Sequence, residues 1–127
     1  MEVENNLFQI AKGDLRAAEI LLSTANDEIM QNIAAYHVQQ AVEKTIKQLI
    51  IEKRGMGTIS HDIGMLVKDA KGEGIEIPSW VSEGAYEISR WATTIRYNSK
   101  FKTNRELIIN YVEKTNQWIE EITCAHT

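Results

Sequence analysis

The sequence predicts an all-α protein, an up-and-down bundle of four or five helices. Three observations predict it. Apolar residues recur at three- and four-residue intervals in five separate segments. No segment sustains the apolar–polar alternation of a strand. One proline and seven glycines in 127 residues leave long stretches free of helix breakers.

The first helix is predicted over residues 5–23, where Leu7, Ala11, Leu15, Ala18 and Leu22 form one stripe. Ser23 to Asp27 reads as a loop. The second helix, residues 28–53, carries a broad apolar face: Met30, Ile33, Ala34, His37, Val38, Ala41, Thr45, Leu49 and Ile50. A face this broad belongs to a central helix with several neighbours. Gly55-Met56-Gly57 ends it. A short third helix follows, capped by Ser60 or His61 and carrying Ile63, Leu66, Val67 and Ala70; Gly72-Glu73-Gly74 stops it. Pro78 opens the fourth helix, residues 79–95, since the missing N–H of proline is harmless in a first turn. Val81, Ala85, Ile88, Trp91, Ala92 and Ile95 are in phase on it. The last helix is predicted to begin at a capping box, Thr103-x-x-Glu106, and its stripe is Ile108, Tyr111, Val112, Thr115, Trp118, Ile119 and Ile122.

At 127 residues and 14.5 kDa the chain is one domain's worth of sequence. Eighteen acids against fourteen Lys and Arg give a net charge of -4, unlike a protein that coats nucleic acid by bulk charge. The single cysteine, Cys124, cannot form an intrachain disulfide. There is no basic, apolar N-terminal leader and no apolar run long enough to span a membrane. The expected compartment is the cytoplasm, without membrane association.

Several chemistries have no motif here. The sequence lacks a phosphate-binding Gly-x-x-x-x-Gly-Lys-Ser/Thr loop, a Gly-x-Gly-x-x-Gly turn and a Gly-x-Ser-x-Gly elbow. One cysteine and three scattered histidines give no zinc pattern, so no metal site and no cofactor are expected. His61-Asp62 superficially resembles the metal-binding dipeptide of HD-type phosphohydrolases, but the further ligands such a site requires cannot be assigned. The dipeptide reads instead as a helix N-terminal cap.

Three stretches stand out together: Asp14-Leu15-x-x-Ala18, then Tyr36-His37-Val38-Gln39-Gln40-Ala41-Val42-Glu43-Lys44-Thr45-Ile46-Lys47, then Arg96-Tyr97, with His61-Asp62-Ile63 before the last. In this order they resemble the HEPN family (higher eukaryotes and prokaryotes nucleotide-binding), from about residue 7 to residue 122. The resemblance implies a four- or five-helix bundle like the substrate-binding subunit of nucleotidyltransferases, usually dimeric. It implies two functional branches. One comprises metal-independent RNases with an Arg-x(4–6)-His motif. The other comprises nucleotide-binding modules that accompany a minimal nucleotidyltransferase, often as a toxin–antitoxin pair. Counting from Arg96, the RNase histidine would fall on Phe101, Lys102 or Thr103, none of which exchanges protons near neutral pH. The Gly-Ser and Asp-x-Asp signature of a nucleotidyltransferase is absent as well, so a second polypeptide must bring that activity. The leading expectation is a nucleotide- or nucleic-acid-binding module, homodimeric, working with a separate nucleotidyltransferase. The alternatives are an RNase toxin that uses Arg96 with a non-standard base, and a non-catalytic interaction module.

The candidate ligand-binding residues are Asp14, Gln40, Lys44, Lys47, Arg96 and Tyr97. Tyr36, Gln40, Glu43/Lys44 and Lys47 share a face of the second helix. Gln40 could bond a base or ribose, and Lys44 and Lys47 could meet phosphate. Equally, the face could be solvated, with a Glu43–Lys47 pair contributing about 0.3–0.5 kcal/mol. Asp14 lies among apolar neighbours and needs a cationic partner, for which Lys44 and Arg96 are the candidates. Residues 96–105 hold four basic side chains, two aromatics and no acid. That mixture suits phosphate and base, and equally an exposed loop. Trp80, Trp91 and Trp118 read as core or dimer interface, and His37 as a satisfied core histidine.

Overall fold

The computed structural model describes residues 6–24, 27–97 and 103–124; the side chains of residues 6 and 94–97 lie outside this description. Five helices follow one another: α1 (Asn6–Thr24), α2 (Glu28–Arg54), α3 (Ile63–Gly72), α4 (Ser79–Tyr97) and α5 (Arg105–Cys124). There is no strand among the described residues. The four long helices alternate in direction. Short α3 packs against α2 and α4.

Several helix ends have an identifiable cause. The Asp27 carboxylate accepts from the Met30 amide and opens α2. Gly55, at φ 85°, closes it by donating its N–H to the Ile51 carbonyl. The cap of α3 is Asp62, not Ser60 or His61, because its carboxylate is placed to accept from the Met65 amide at 2.9 Å. Pro78 supplies the carbonyl that begins α4. The start of α5 departs from the expected capping box. Asn104 is the cap, accepting from the Leu107 amide at 3.1 Å. The Thr103 hydroxyl is drawn elsewhere: it donates to Asn32 Oδ1, while Gln31 Nε2 donates to the Thr103 carbonyl. These bonds tie the entry of α5 to the start of α2. Arg105 fastens the same end by donating to the Leu22 carbonyl in the last turn of α1.

Helix α2 is the axis, with α1, α3, α4 and α5 all packed on it. Its apolar face is fully buried at Ala34, Val38, Ala41, Ile46 and Ile50, while Met30, Ile33 and Leu49 are half-buried. On α1 the buried aromatic is Phe8; the expected Leu7 is half-buried. Aromatic rings fill the space between α4 and α5. Trp80 lies against Tyr111 and Trp118, and Trp91 against Tyr111, each with centroids 5.7 Å apart. Trp91 is completely buried and Trp118 nearly so, which places both in the core. Gly84 makes room for this cluster: a Cβ there would collide with the Tyr111 hydroxyl and lie 3.2 Å from Cζ.

Candidate functional site

A central helix ought to be apolar all round, and α2 is not. Gln39, Glu43 and Gln48 are buried on it together with the hydrophobic residues. Buried polar groups need partners, and for two of these the partners form a continuous chain of contacts running from α1 to the start of α3.

The chain begins at Asp14 on α1. One carboxylate oxygen lies 2.9 Å from His37 Nδ1, and the other is 3.4 Å from Lys44 Nζ. The second oxygen is buried and ion-paired, but too poorly aligned with the ammonium to count as hydrogen-bonded. Lys44 donates to Gln40 Oε1 at 2.6 Å, Gln40 Nε2 donates to Gln39 Oε1 at 2.7 Å, and Gln39 Nε2 donates to Glu43 Oε1 at 2.8 Å. The ammonium at one end and the carboxylate at the other fix the orientation of both amides. Glu43 Oε2 then meets Lys47 Nζ at 2.9 Å and His61 Nδ1 at 2.7 Å. Lys47 Nζ also lies 3.2 Å from His61 Nδ1. A carboxylate only accepts, so the shorter contact assigns the Nδ1 proton to the His61–Glu43 bond and leaves Nε2 facing outward.

Glu43 is the electrostatic centre of the chain. Burial pushes its carboxyl up, but hydrogen bonds from His61, Lys47 and Gln39 outweigh this and hold it below the ordinary carboxylate range. The two lysines are each neutralised by an acid, Lys44 by Asp14 and Lys47 by Glu43, and their side chains remain 21 % and 15 % exposed.

The structure thus brings four of the six candidate residues together: Asp14, Gln40, Lys44 and Lys47. Lys44 is the partner of Asp14, as the apolar surroundings of the carboxylate required. Arg96 and Tyr97 fall in the last turn of α4, and their side chains lie outside the described residues. Much of the basic stretch that follows, residues 98–102, lies outside them as well. The sequence reading missed Gln39 and His61 as members of this chain of contacts, took Glu43 only as the partner of Lys47, and read His37 as a core histidine, whereas it is half-buried and bonded to Asp14. For Gln39 and Glu43 the signal was present in the i,i+4 spacing of Gln39 with Glu43, Gln40 with Lys44, and Glu43 with Lys47; for His61 there was none.

The order of these elements agrees with a comparison of families, in which the HEPN domain matches residues 5–122. The chain belongs to the HEPN domain family. That family is generally concerned with nucleotides and RNA. The HEPN match takes in all five helices except the last residues of α5, and so includes the whole Asp14-to-His61 chain. No curated protein and no solved structure matches significantly. Among the described residues no helix is long and apolar enough to cross a membrane.

Proposed function

We propose that this chain is a cytoplasmic nucleotide- or nucleic-acid-binding HEPN module that works with a separate minimal nucleotidyltransferase, in the manner of a toxin–antitoxin pair. The observation that carries the reading is the polar row along α2, in which Lys44, Lys47 and Gln40 are held in fixed positions and remain partly open to solvent. Gln40 and the two ammonium groups offer donors of the kind that phosphate and ribose accept. Because each lysine is already matched by a carboxylate, a phosphate must compete with Asp14 or Glu43. Coulomb attraction in a partly desolvated site amounts to a few kcal/mol per contact at most, so binding is weak and salt-sensitive. Arg96, in the last turn of α4, is the candidate further cation from the sequence; its side chain lies outside the described residues.

The metal-dependent step belongs to the partner, since the sequence carries neither the Gly-Ser nor the Asp-x-Asp signature of a nucleotidyltransferase. Two experiments test the reading. Thermal unfolding with and without nucleoside triphosphates tests the ligand. Co-expression with a minimal nucleotidyltransferase encoded beside this chain, followed by co-purification through a tag on one of them, tests the partner.

A further inference from the structure

The polar chain does not stop at Glu43. It opens through His61 into a cleft of about 330 Å³ between the start of α3 and the middle of α4, bordered by His61, Asp62, Tyr86, Ser89, Arg90 and Thr93. Three different chemistries meet there. The first is the imidazole. Its Nδ1 is anchored on a carboxylate that is 7 % exposed, its side chain is 78 % exposed, and Nε2 makes no hydrogen bond among the described residues. The second is an aromatic face: Tyr86 is 79 % exposed on a helix whose other aromatic residues with described side chains point into the core. The third is the guanidinium of Arg90, which lies 5.9 Å from the centre of the Tyr86 ring. Ser89 lines the same wall and accepts from the Ile63 amide, a bond that leaves its hydroxyl proton free to donate.

We propose that this cleft is a nucleoside phosphate site. The base stacks on the Tyr86 ring, on the face away from Arg90. The phosphate lies between the Arg90 guanidinium and His61 Nε2. In the imidazolium form both ring nitrogens donate, Nδ1 to Glu43 and Nε2 to the phosphate. Glu43 then serves as a buried counter-ion to the ring that touches the ligand. The charged groups facing His61 are Glu43 and Lys47 from α2, Asp62 beside it in the chain, and Arg90 from α4. Asp62 is occupied as the cap of α3, which directs its carboxylate toward the Met65 amide. The proposal rests on the nucleotide-binding reading and adds a place for the nucleotide that Lys44 and Arg96 do not define. Tyr86 and Arg90 are exposed, so replacing them leaves the core intact; His61 is exposed too but bonds buried Glu43, so the melting temperature of His61→Ala is compared with wild type before its affinity is read.

The test is an amide chemical-shift titration of the full chain with AMP and, separately, with a single-stranded oligoadenylate, repeated on Arg90→Ala, Tyr86→Ala and His61→Ala. Shifts clustered at residues 61–63 and 86–93 are expected, with affinity falling about tenfold in Arg90→Ala and in His61→Ala, and by a similar factor in Tyr86→Ala. Tighter binding of the oligonucleotide identifies a strand phosphodiester as the ligand; equal binding of AMP identifies the free nucleotide. Shifts confined to the Gln40–Lys47 face, unchanged in these three variants, overturn the cleft while leaving the nucleotide-binding reading in place. No shifts with either probe overturn both.

Discussion

Glu43 and His61 meet at 2.7 Å, Oε2 to Nδ1, across the connection between α2 and α3, and the carboxylate is buried while the imidazole stands in solvent. The pair joins the interior of the bundle to its surface. It also makes the stability of α2's polar row depend on pH in a definite direction. Desolvation opposes ionisation of Glu43, but its hydrogen bonds from His61, Lys47 and Gln39 prevail, so the folded protein holds the carboxyl below the ordinary carboxylate range. A carboxyl depressed on folding stabilises the fold fully above its unfolded value, and that contribution disappears as pH falls through the folded one.

Glu43→Gln is therefore expected to unfold at a lower temperature than wild type at neutral pH, by about 1–3 kcal/mol of lost stability. The difference narrows as pH falls below the ordinary carboxylate range and through the depressed folded value. Thermal melts of both proteins over that range check it; parallel curves would show that Glu43 contributes nothing through its charge.

Gly84→Ala is expected to destabilise the bundle by about 1–3 kcal/mol, because the new methyl meets the Tyr111 hydroxyl in a space that Trp80 and Trp91 also border. Gly13→Ala, with nothing within 4 Å of its added carbon, is the control and should be neutral or slightly stabilising. Urea midpoints distinguish them; equal midpoints for Gly84→Ala and wild type would mean that the α4–α5 contact is looser than described.

Most of the fold could be read from the sequence because it rests on periodicity and on a few stop signals. Val81, Ile88 and Trp91 on α4, and Ile108, Val112 and Ile119 on α5, are buried as their spacing required. The caps were harder to place. Thr103 and Asn104 are both good N-cap residues, and the choice between them depends on Asn32, which is 71 positions away in the chain. The candidate site was half legible for the same reason. Asp14 among apolar neighbours implied a cation, and Lys44 supplies it. That Glu43 would be buried and bonded to His61 depends on how the loop after α2 folds back. Arg54 holds that loop by bonding the Met56 and Gly57 carbonyls and pairing with Asp69 and Glu73. No local spacing encodes such a contact.

The protein is expected to be a dimer. Ile10 and Ile20 on α1 are about half exposed and Ile59 is 93 % exposed, apolar surface that a second subunit would cover. Light scattering at micromolar concentration should return twice 14.5 kDa; a mass of one chain throughout would reject the dimer.

Without metal, the purified chain should leave RNA intact, since no histidine follows Arg96 at the spacing used by the family's RNases. Incubation of labelled single-stranded RNA with chelator checks this. Reproducible cleavage that vanishes in Arg96→Ala would instead make the chain an RNase with a non-standard base. Loss of such cleavage in His61→Ala would identify the base.

The central claim is that the polar row along α2 serves a ligand as well as holding the helices together. Thermal unfolding of wild type, Lys44→Ala and Arg96→Ala, each with and without nucleoside triphosphates at low ionic strength, tests it most directly. The account predicts that triphosphate raises the melting temperature of wild type, that Lys44→Ala melts lower than wild type without ligand, because Asp14 Oδ2 loses its cation, and also gains less from the ligand, and that Arg96→Ala loses most of the gain. The contrary result is no nucleotide-dependent shift in wild type, with Lys44→Ala destabilised all the same by the loss of the cation beside Asp14. That outcome would make Asp14, Lys44 and their neighbours a structural ion-pair network and nothing more.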